Sequence, residues 1–82
     1  MIMVDIYVPS VDKDYDFQLD PNVKIATIIE EISEMIAHKE HSEIVGKPEE
    51  LLLCNRGKNQ VLPNESTLGA CGISNGSNLL LV

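Results

Sequence analysis

Apolar and polar side chains alternate over the first eight residues of the chain. Every second residue from position 2 to position 8 is aliphatic, and most residues between them are more polar. Because successive side chains of a strand point to opposite faces, this alternation predicts a half-buried strand. Tyr15, Phe17 and Leu19 repeat the pattern after the turn-forming Pro9-Ser10, so the first twenty residues predict a β-hairpin.

The spacing of apolar residues changes to a helical period after residue 23. Six apolar side chains fall on one helical face: Ile25, Ile28, Ile29, Ile32, Met35 and Ile36. They predict an amphipathic helix that lies on a sheet and ends near His38-Lys39. Asp20-Pro21-Asn22 stands before the helix, and residues of these types commonly cap a helix start.

Three further short strands are predicted in the second half of the chain. They are the runs 51–54, 60–62 and 79–82, and the turn 55–58 separates the first two. Asn75-Gly76 precedes the last run and favours a tight turn. Residues 39–50 predict no clear element, although Ile44 and Val45 are expected to pack on the core as a short helix or a turn.

The order strand-strand-helix-strand-strand-strand is that of a β-grasp fold, in the α+β class. Such a fold packs one main helix on one face of a mixed sheet of four to five strands, with the first and last strands parallel at its centre. We therefore expect a single domain over residues 1–82. Because one helix covers one face only, the other face is left to solvent or to a partner.

Strand alternation assigns side chains to that uncovered face. Residues 79 and 81 are expected to face the helix, so that Leu80 and Val82 face away from it. In the run 51–54, positions 52 and 54 are expected to face inward, and Leu51 and Leu53 outward. An apolar face of this kind predicts a protein-binding site.

Five residues make up the predicted protein-binding site. Leu53, Leu80 and Val82 are its apolar anchors, while Arg56 and Lys58 at its edge would attract an acidic partner. The alternatives are a homodimer through the same face, or scattered surface leucines such as Leu51 and Leu80 that form no interface.

Charge and hydropathy restrict the classes of partner. Thirteen acidic and six basic residues give a formal net charge of −7. Such a surface repels phosphate groups, so neither nucleic-acid binding nor direct membrane insertion is expected. The chain shows neither a signal-peptide pattern nor an apolar run of transmembrane length, which predicts a cytoplasmic protein.

Two groups of residues have a partial metal-binding pattern. Residues 12, 14 and 16 are aspartates with the opening spacing of a calcium loop, but Phe17 and Val23 occupy the positions where that loop needs Gly and Glu. His38 and His41 lack a third ligand at a fixed spacing. No metal site and no cofactor are therefore expected.

The two cysteines predict no catalytic chemistry. Cys54 and Cys71 lie in different predicted elements and form neither a redox pair nor part of a metal motif. Both are interpreted as structural cysteines. Since the chain has no recognisable nucleophile-base arrangement and no glycine-rich phosphate loop, we do not expect an enzyme.

The C-terminal part of the chain resembles a known family. Its segment Leu68-x-x-Cys71-Gly-Ile-Ser-Asn-Gly76, followed by an apolar strand, is similar to the YukD-like (EsaB-like) ubiquitin-like proteins of bacterial type VII, or ESX-type, secretion systems. The resemblance extends over roughly residues 1–38 and 50–82. It implies a cytoplasmic accessory or regulatory component of the secretion machine, which is not conjugated and whose partner would be a secretion ATPase or a membrane component.

A sulfur carrier or a ubiquitin-like modifier of β-grasp fold is the alternative function. Both act through a flexible C-terminal Gly-Gly, whereas the segment 79–82 predicts a strand, which favours binding over conjugation. The sequence leaves open which partner is bound, whether the role is regulatory or structural, and what residues 39–50 do. It also leaves open whether the chain is a free protein or a domain of a larger one.

Overall fold

Residues 1–40 and 47–82 are described by a computed structural model. They contain a five-stranded sheet and one α-helix. The strands are β1 (Ile2–Val8), β2 (Lys13–Leu19), β3 (Leu53–Asn55), β4 (Gln60–Val61) and β5 (Ser77–Leu81). The helix α1 spans Ile25–Glu40, and a short 3-10 helix spans Pro48–Glu50. The predicted packing of Ile44 and Val45 lies outside the described residues.

The strand order in the sheet is β2-β1-β5-β3-β4. β1 and β5 are parallel neighbours, while β1–β2, β5–β3 and β3–β4 pair in antiparallel fashion. The parallel first and last strands, together with one helix on one face, confirm the predicted β-grasp fold. This order makes β2 and β4 the edge strands and leaves β5 in the middle of the sheet.

The core lies between α1 and the inner face of the sheet. The isoleucines at positions 25, 28, 29, 32 and 36 of α1 are all at most 1% exposed. From the sheet they meet Val4, Ile6, Leu79 and Leu81, which are equally buried. Met35 was predicted on the same helical face, but this prediction is wrong, since the side chain is 44% exposed. It lies beside Asp16 and Phe17 of the edge strand β2, where the sheet ends.

The predicted orientation of the run 51–54 is wrong by one residue. Leu53, expected to face outward, is fully buried, and Leu51 is only 7% exposed. Leu52 is 44% exposed, and Cys54 is half-buried. Leu53 pairs with the buried Leu81 of β5, and paired residues share a face of the sheet. The run of four apolar residues has no polar position to mark its outer face, so the pairing with β5 decides it.

The N-terminus of α1 is held by a loop from the other end of the chain. The N–H of Ile25 donates to the carbonyl of Ser66, and the N–H of Ala26 donates to the carbonyl of Asn64. Asp20 and Asn22 were the candidates for a helix cap, but Asp20 Oδ1 accepts from the N–H of Asn22. The first N–H groups of a helix need partners from outside the helix, and here the loop supplies two of them.

Candidate protein-docking face

The outer face of the sheet carries the outward side chains of all five strands. Cys54 of β3 lies between Val61 of β4 and Leu80 of β5 in the strand pairing. Leu52 and Val82 extend this row, because each donates its N–H to the carbonyl of the other, at 2.6 and 2.9 Å. We call Leu52, Cys54, Val61, Leu80 and Val82 the apolar strip. Their contiguity follows from pairing alone, since side chains of paired residues stand next to each other.

The apolar strip is open to solvent in the described structure. Val61, Val82 and Leu52 are 54%, 47% and 44% exposed, respectively, while Leu80 and Cys54 are half-buried between neighbouring strands. A shallow hollow of about 450 Å³ lies over Leu80, Cys54 and Val61 and extends toward Arg56. Burial raises the pKa of the Cys54 thiol, which keeps it protonated at neutral pH. Cys54 is therefore a packing residue of the strip and not an activated nucleophile.

Carboxylates occupy the other half of the same face. Asp5 of β1 pairs with Asp16 of β2, and Asp14 of β2 pairs with Tyr7 of β1, so all four side chains point outward. We call Asp5, Asp14 and Asp16 the acidic half. Tyr7 also pairs with Leu80 of β5. The tyrosine therefore stands at the boundary between the apolar strip and the acidic half.

Arg56 lies across this boundary. Its guanidinium carbon is 5.3 Å from the centre of the Tyr7 ring, and its Nη1 is 3.9 Å from Asp14 Oδ1. The hydroxyl of Tyr7 donates to Asp12 Oδ1, which fixes the ring from its other end. Both contacts of Arg56 are those of a partly exposed side chain, and each is of modest strength.

Asp5 is the least satisfied group of the acidic half. Its Oδ1 is buried and has no hydrogen-bond partner among the described residues. Burial raises the pKa of Asp5 above its ordinary value, and the negative charges of Asp14 and Asp16 raise it further against the opposing effect of Arg56. Burial and neighbouring negative charge therefore outweigh the effect of Arg56 on the pKa of Asp5.

The structure places three of the five predicted site residues at this face. Leu80 and Val82 belong to the apolar strip, Arg56 lies at its boundary, and Lys58 is exposed in the turn between β3 and β4. Leu53 belongs to the core instead. The sequence interpretation missed Leu52, Cys54 and Val61. Leu62 faces inward and its neighbour Val61 faces outward, so strand alternation could have placed Val61 on the outer face. The run 51–54 contains no such signal.

A second concavity lies at the β2 edge of the sheet, next to α1. A groove of about 590 Å³ runs between β2 and α1, and it is lined by Asp16, Phe17, Glu34, Met35, His38 and Lys39. Its lining alternates between acidic, basic and apolar groups, so no one ligand chemistry is favoured there.

Residues 1–40 and 47–82 contain neither a metal-binding cluster nor a membrane-spanning helix. This part of the chain contains no cluster of three His, Cys, Asp or Glu side chains arranged to hold a metal ion, and His41 lies outside it. None of the helices described combines the length and the apolar character that crossing a bilayer requires.

Several solved structures have a similar fold, and two of them are a ubiquitin-like domain and a ubiquitin. The solution structure of an N-terminal ubiquitin-like domain superposes with a TM-score of 0.71 at 22% identity, covering 99% of this chain and 72% of that one. Ubiquitin of Caldiarchaeum subterraneum gives 0.69 at 15% identity, with 98% and 89% covered. A crystal structure of AtBAG1 in complex with HSP70 gives 0.70 at 15% identity, with this chain spanning 40% of that one. At these identities the likeness establishes the fold alone.

The family comparison gives a closer relationship than the structures do. No curated protein matches the chain. The family model described as "WXG100 protein secretion system (Wss), protein YukD" matches residues 2–81, which include every strand and the helix. The ubiquitin-like fold and this match agree with the resemblance found in the segment 68–76. The chain therefore belongs to the YukD family, ubiquitin-like proteins of the type VII (WXG100) secretion context.

Proposed function

We propose that residues 1–82 act as one ubiquitin-like domain that binds another protein through the outer face of its sheet. In this proposal the chain is a cytoplasmic accessory or regulatory component of the secretion machine, and its partner is a secretion ATPase or a membrane component. It is a binding protein and not an enzyme. Membership of the YukD family supports the secretion context, and the acidic surface supports a protein partner over nucleic acid.

The apolar strip is the observation that carries this proposal. Five apolar side chains in or next to β3, β4 and β5 form a continuous surface that no described element covers, and three of them are more than 40% exposed. Exposed apolar surface that is contiguous is uncommon in a soluble domain unless it binds something. Burial of such side chains stabilises a complex by roughly 25 cal/mol per Å² before the costs of association.

Non-conjugation is part of the same proposal. Val82 is held in the sheet by two backbone hydrogen bonds to Leu52 and lies in the apolar strip. The intact mass of the protein isolated from its host tests this point. A species enlarged by the mass of a second protein, or by a thiocarboxylate sulfur, would favour the modifier or sulfur-carrier function instead.

Affinity purification from the native host, with membranes included, tests the docking face. We expect the wild-type protein to capture a secretion ATPase or membrane component, and Leu80→Glu to capture at least tenfold less. Leu52→Glu provides a second, more exposed position on the strip, should Leu80→Glu fail to fold. Circular dichroism of each variant confirms that it is folded before capture is compared.

Met35→Glu is the matched control for these variants. It places the same charge on an equally exposed apolar side chain, but on α1 instead of the outer face. Met35→Glu should retain the partner. If folded Leu80→Glu and Leu52→Glu capture the partner as well as the wild type does, the outer face is not the docking site.

A further inference from the structure

The acidic half and the apolar strip together restrict the chemistry of a partner. The strand pairing places Asp14, Tyr7, Leu80 and Cys54 in one row across four strands. Neighbouring strands are about 4.8 Å apart, so Leu80 and Asp14 are separated by about 10 Å. If a helix of the partner covers the apolar strip, a side chain one or two turns further along that helix reaches the carboxylates.

Arg56 does not make this face basic. Its guanidinium is turned over Tyr7 toward Asp14, so its charge is directed at the chain's own carboxylates. The formal charge of these side chains is −2. Asp5, Asp14 and Asp16 contribute three negative charges, and Arg56 contributes one positive charge. The sequence had suggested that Arg56 and Lys58 attract an acidic partner, but the local charge favours the opposite sign.

Asp14 and Asp16 give this charge a specific location. Both carboxylates are exposed, and they flank Asp5, whose Oδ1 is buried and lacks a partner among the described residues. A guanidinium or ammonium group of a partner can reach the two exposed carboxylates and form charge-assisted hydrogen bonds with them. Burial is the main cause of the raised pKa of Asp5, and the negative charges of Asp14 and Asp16 raise it further.

We propose that the partner of the outer face presents an arginine or lysine side chain beside an apolar surface. Its aliphatic groups cover the apolar strip at Leu80 and Cys54, and its cation contacts the exposed carboxylates of Asp14 and Asp16 in the acidic half. This inference rests on the proposed docking function and adds the charge of the partner. It predicts that binding weakens as salt concentration rises, because the charges involved are near the surface.

Two helical peptides of about 18 residues, long enough to fold on the sheet, provide the test. Both carry the same leucine stripe, and a charged residue seven positions from the central leucine is arginine in one peptide and glutamate in the other. Amide shifts in the NMR spectrum of the labelled protein report binding. We expect the arginine peptide to shift residues of β1, β3 and β5, and the glutamate peptide to bind at least tenfold more weakly.

Charge variants of the protein locate the effect. Asp14→Asn combined with Asp16→Asn should weaken the binding of the arginine peptide about tenfold, since it removes two of the three negative charges of the acidic half. Glu30→Gln combined with Glu31→Gln removes the same charge from exposed positions of α1 and should leave binding unchanged. Arg56→Gln should strengthen the arginine peptide, because it removes a competing cation.

The opposite results would overturn the inference in distinguishable ways. Tighter binding of the glutamate peptide, weakened by Arg56→Gln, would mean that the face attracts acidic partners. Equal binding of both peptides, lost in Leu80→Glu, would leave the docking function intact and remove the charge requirement. If neither peptide shifts an outer-face amide, the inferred partner chemistry is wrong, whereas the proposed function itself is decided by capture from the host.

Discussion

The two tyrosines lie on opposite faces of the sheet and have different roles. Tyr15 of β2 faces the helix and is 7% exposed, and its hydroxyl donates to Glu40 Oε2 at 2.8 Å. Lys13 Nζ contacts the other oxygen of Glu40 at 2.8 Å, so the three residues tie β2 to the last residue of α1. Tyr7 faces outward, and its hydroxyl bonds the exposed Asp12.

Removing the Tyr15 hydroxyl should therefore cost more stability than removing that of Tyr7. We expect Tyr15→Phe to lower the free energy of unfolding by about 1 kcal/mol, since the bond has a charged acceptor but is partly solvated. Tyr7→Phe is the matched control and should cost less than half as much. Urea denaturation measures both, and an equal loss in the two variants would contradict the structural role given to Glu40.

Asp5 and Glu40 should affect the pH dependence of stability in opposite directions. The folded state raises the pKa of Asp5, mainly by burial, and therefore binds its proton more tightly than the unfolded state does. Its ionised form is destabilising, so stability is lost as pH rises through the raised pKa. Hydrogen bonds from Lys13 and Tyr15 lower the pKa of Glu40, so its contribution is present above the ordinary value of 4.5 and is lost as pH falls through the lowered pKa.

Two neutral variants test this difference by thermal unfolding at several pH values. Asp5→Asn should be more stable than the wild type at pH 7, and the gain should disappear below the ordinary Asp5 value of 3.8. Glu40→Gln should be less stable than the wild type at pH 7, and its deficit should shrink below pH 4.5. Parallel curves for the two variants would mean that neither carboxylate is perturbed as described.

At the scale of elements, the pairing of β3 decides which leucines belong to the apolar strip. Its pairing with β5 turns Leu53 into the core and Leu52 onto the apolar strip. The two leucines are adjacent and chemically identical, so their different environments are due to tertiary structure alone. The same pairing places Cys54 beside Leu80 and so makes the strip continuous.

Alanine substitution of these two leucines should separate the core from the strip. Leu53→Ala removes a fully buried side chain and should cost about 2–5 kcal/mol. Leu52→Ala, at 44% exposure, should cost less than about 1 kcal/mol. Chemical denaturation measures both. Reversed values would restore the orientation that the sequence suggested for residues 51–54.

The turn before β5 is a second place where one element depends on another. Gly76 has a φ of +84°, a conformation that side chains disfavour, and its N–H donates to the carbonyl of Met3. Asn75 supports the same junction differently, since its Oδ1 accepts from the N–H of Met3 at 2.8 Å. The Asn-Gly signal marked a tight turn, but the contact of Asn75 with β1 follows only from the parallel pairing of β1 and β5.

At the scale of the whole molecule, the outer face is divided between apolar and acidic surface, which disfavours self-association. A symmetric dimer through this face would bring acidic groups of two copies close together, each copy with a net charge of −7. We expect the purified protein to sediment as a monomer at physiological salt. A dimer that Leu80→Glu dissociates would instead make the outer face a homodimer interface.

The periodicity of the sequence by itself determined the elements and their order. Alternation in β1 and β2 and the helical spacing of α1 are local properties, and each is marked by polar residues between the apolar ones. That order predicted the β-grasp fold, its parallel central strands and the uncovered face. Leu80 and Val82 were assigned correctly because Leu79 and Leu81 are buried in alternation with them.

Only the tertiary structure decided which side chains meet. Leu51 to Cys54 form an apolar run with no polar residue to mark a face, so long-range pairing with β5 fixed its orientation. The N–H groups at the start of α1 found acceptors at residues 64 and 66, about forty positions away, instead of at Asp20. The acidic half arose in the same way, because the pairing of β1 with β2 gathers Asp5, Asp14 and Asp16 on one face. Contacts between distant segments depend on register, and an apolar run such as residues 51–54 does not specify its register because either face of it could turn inward.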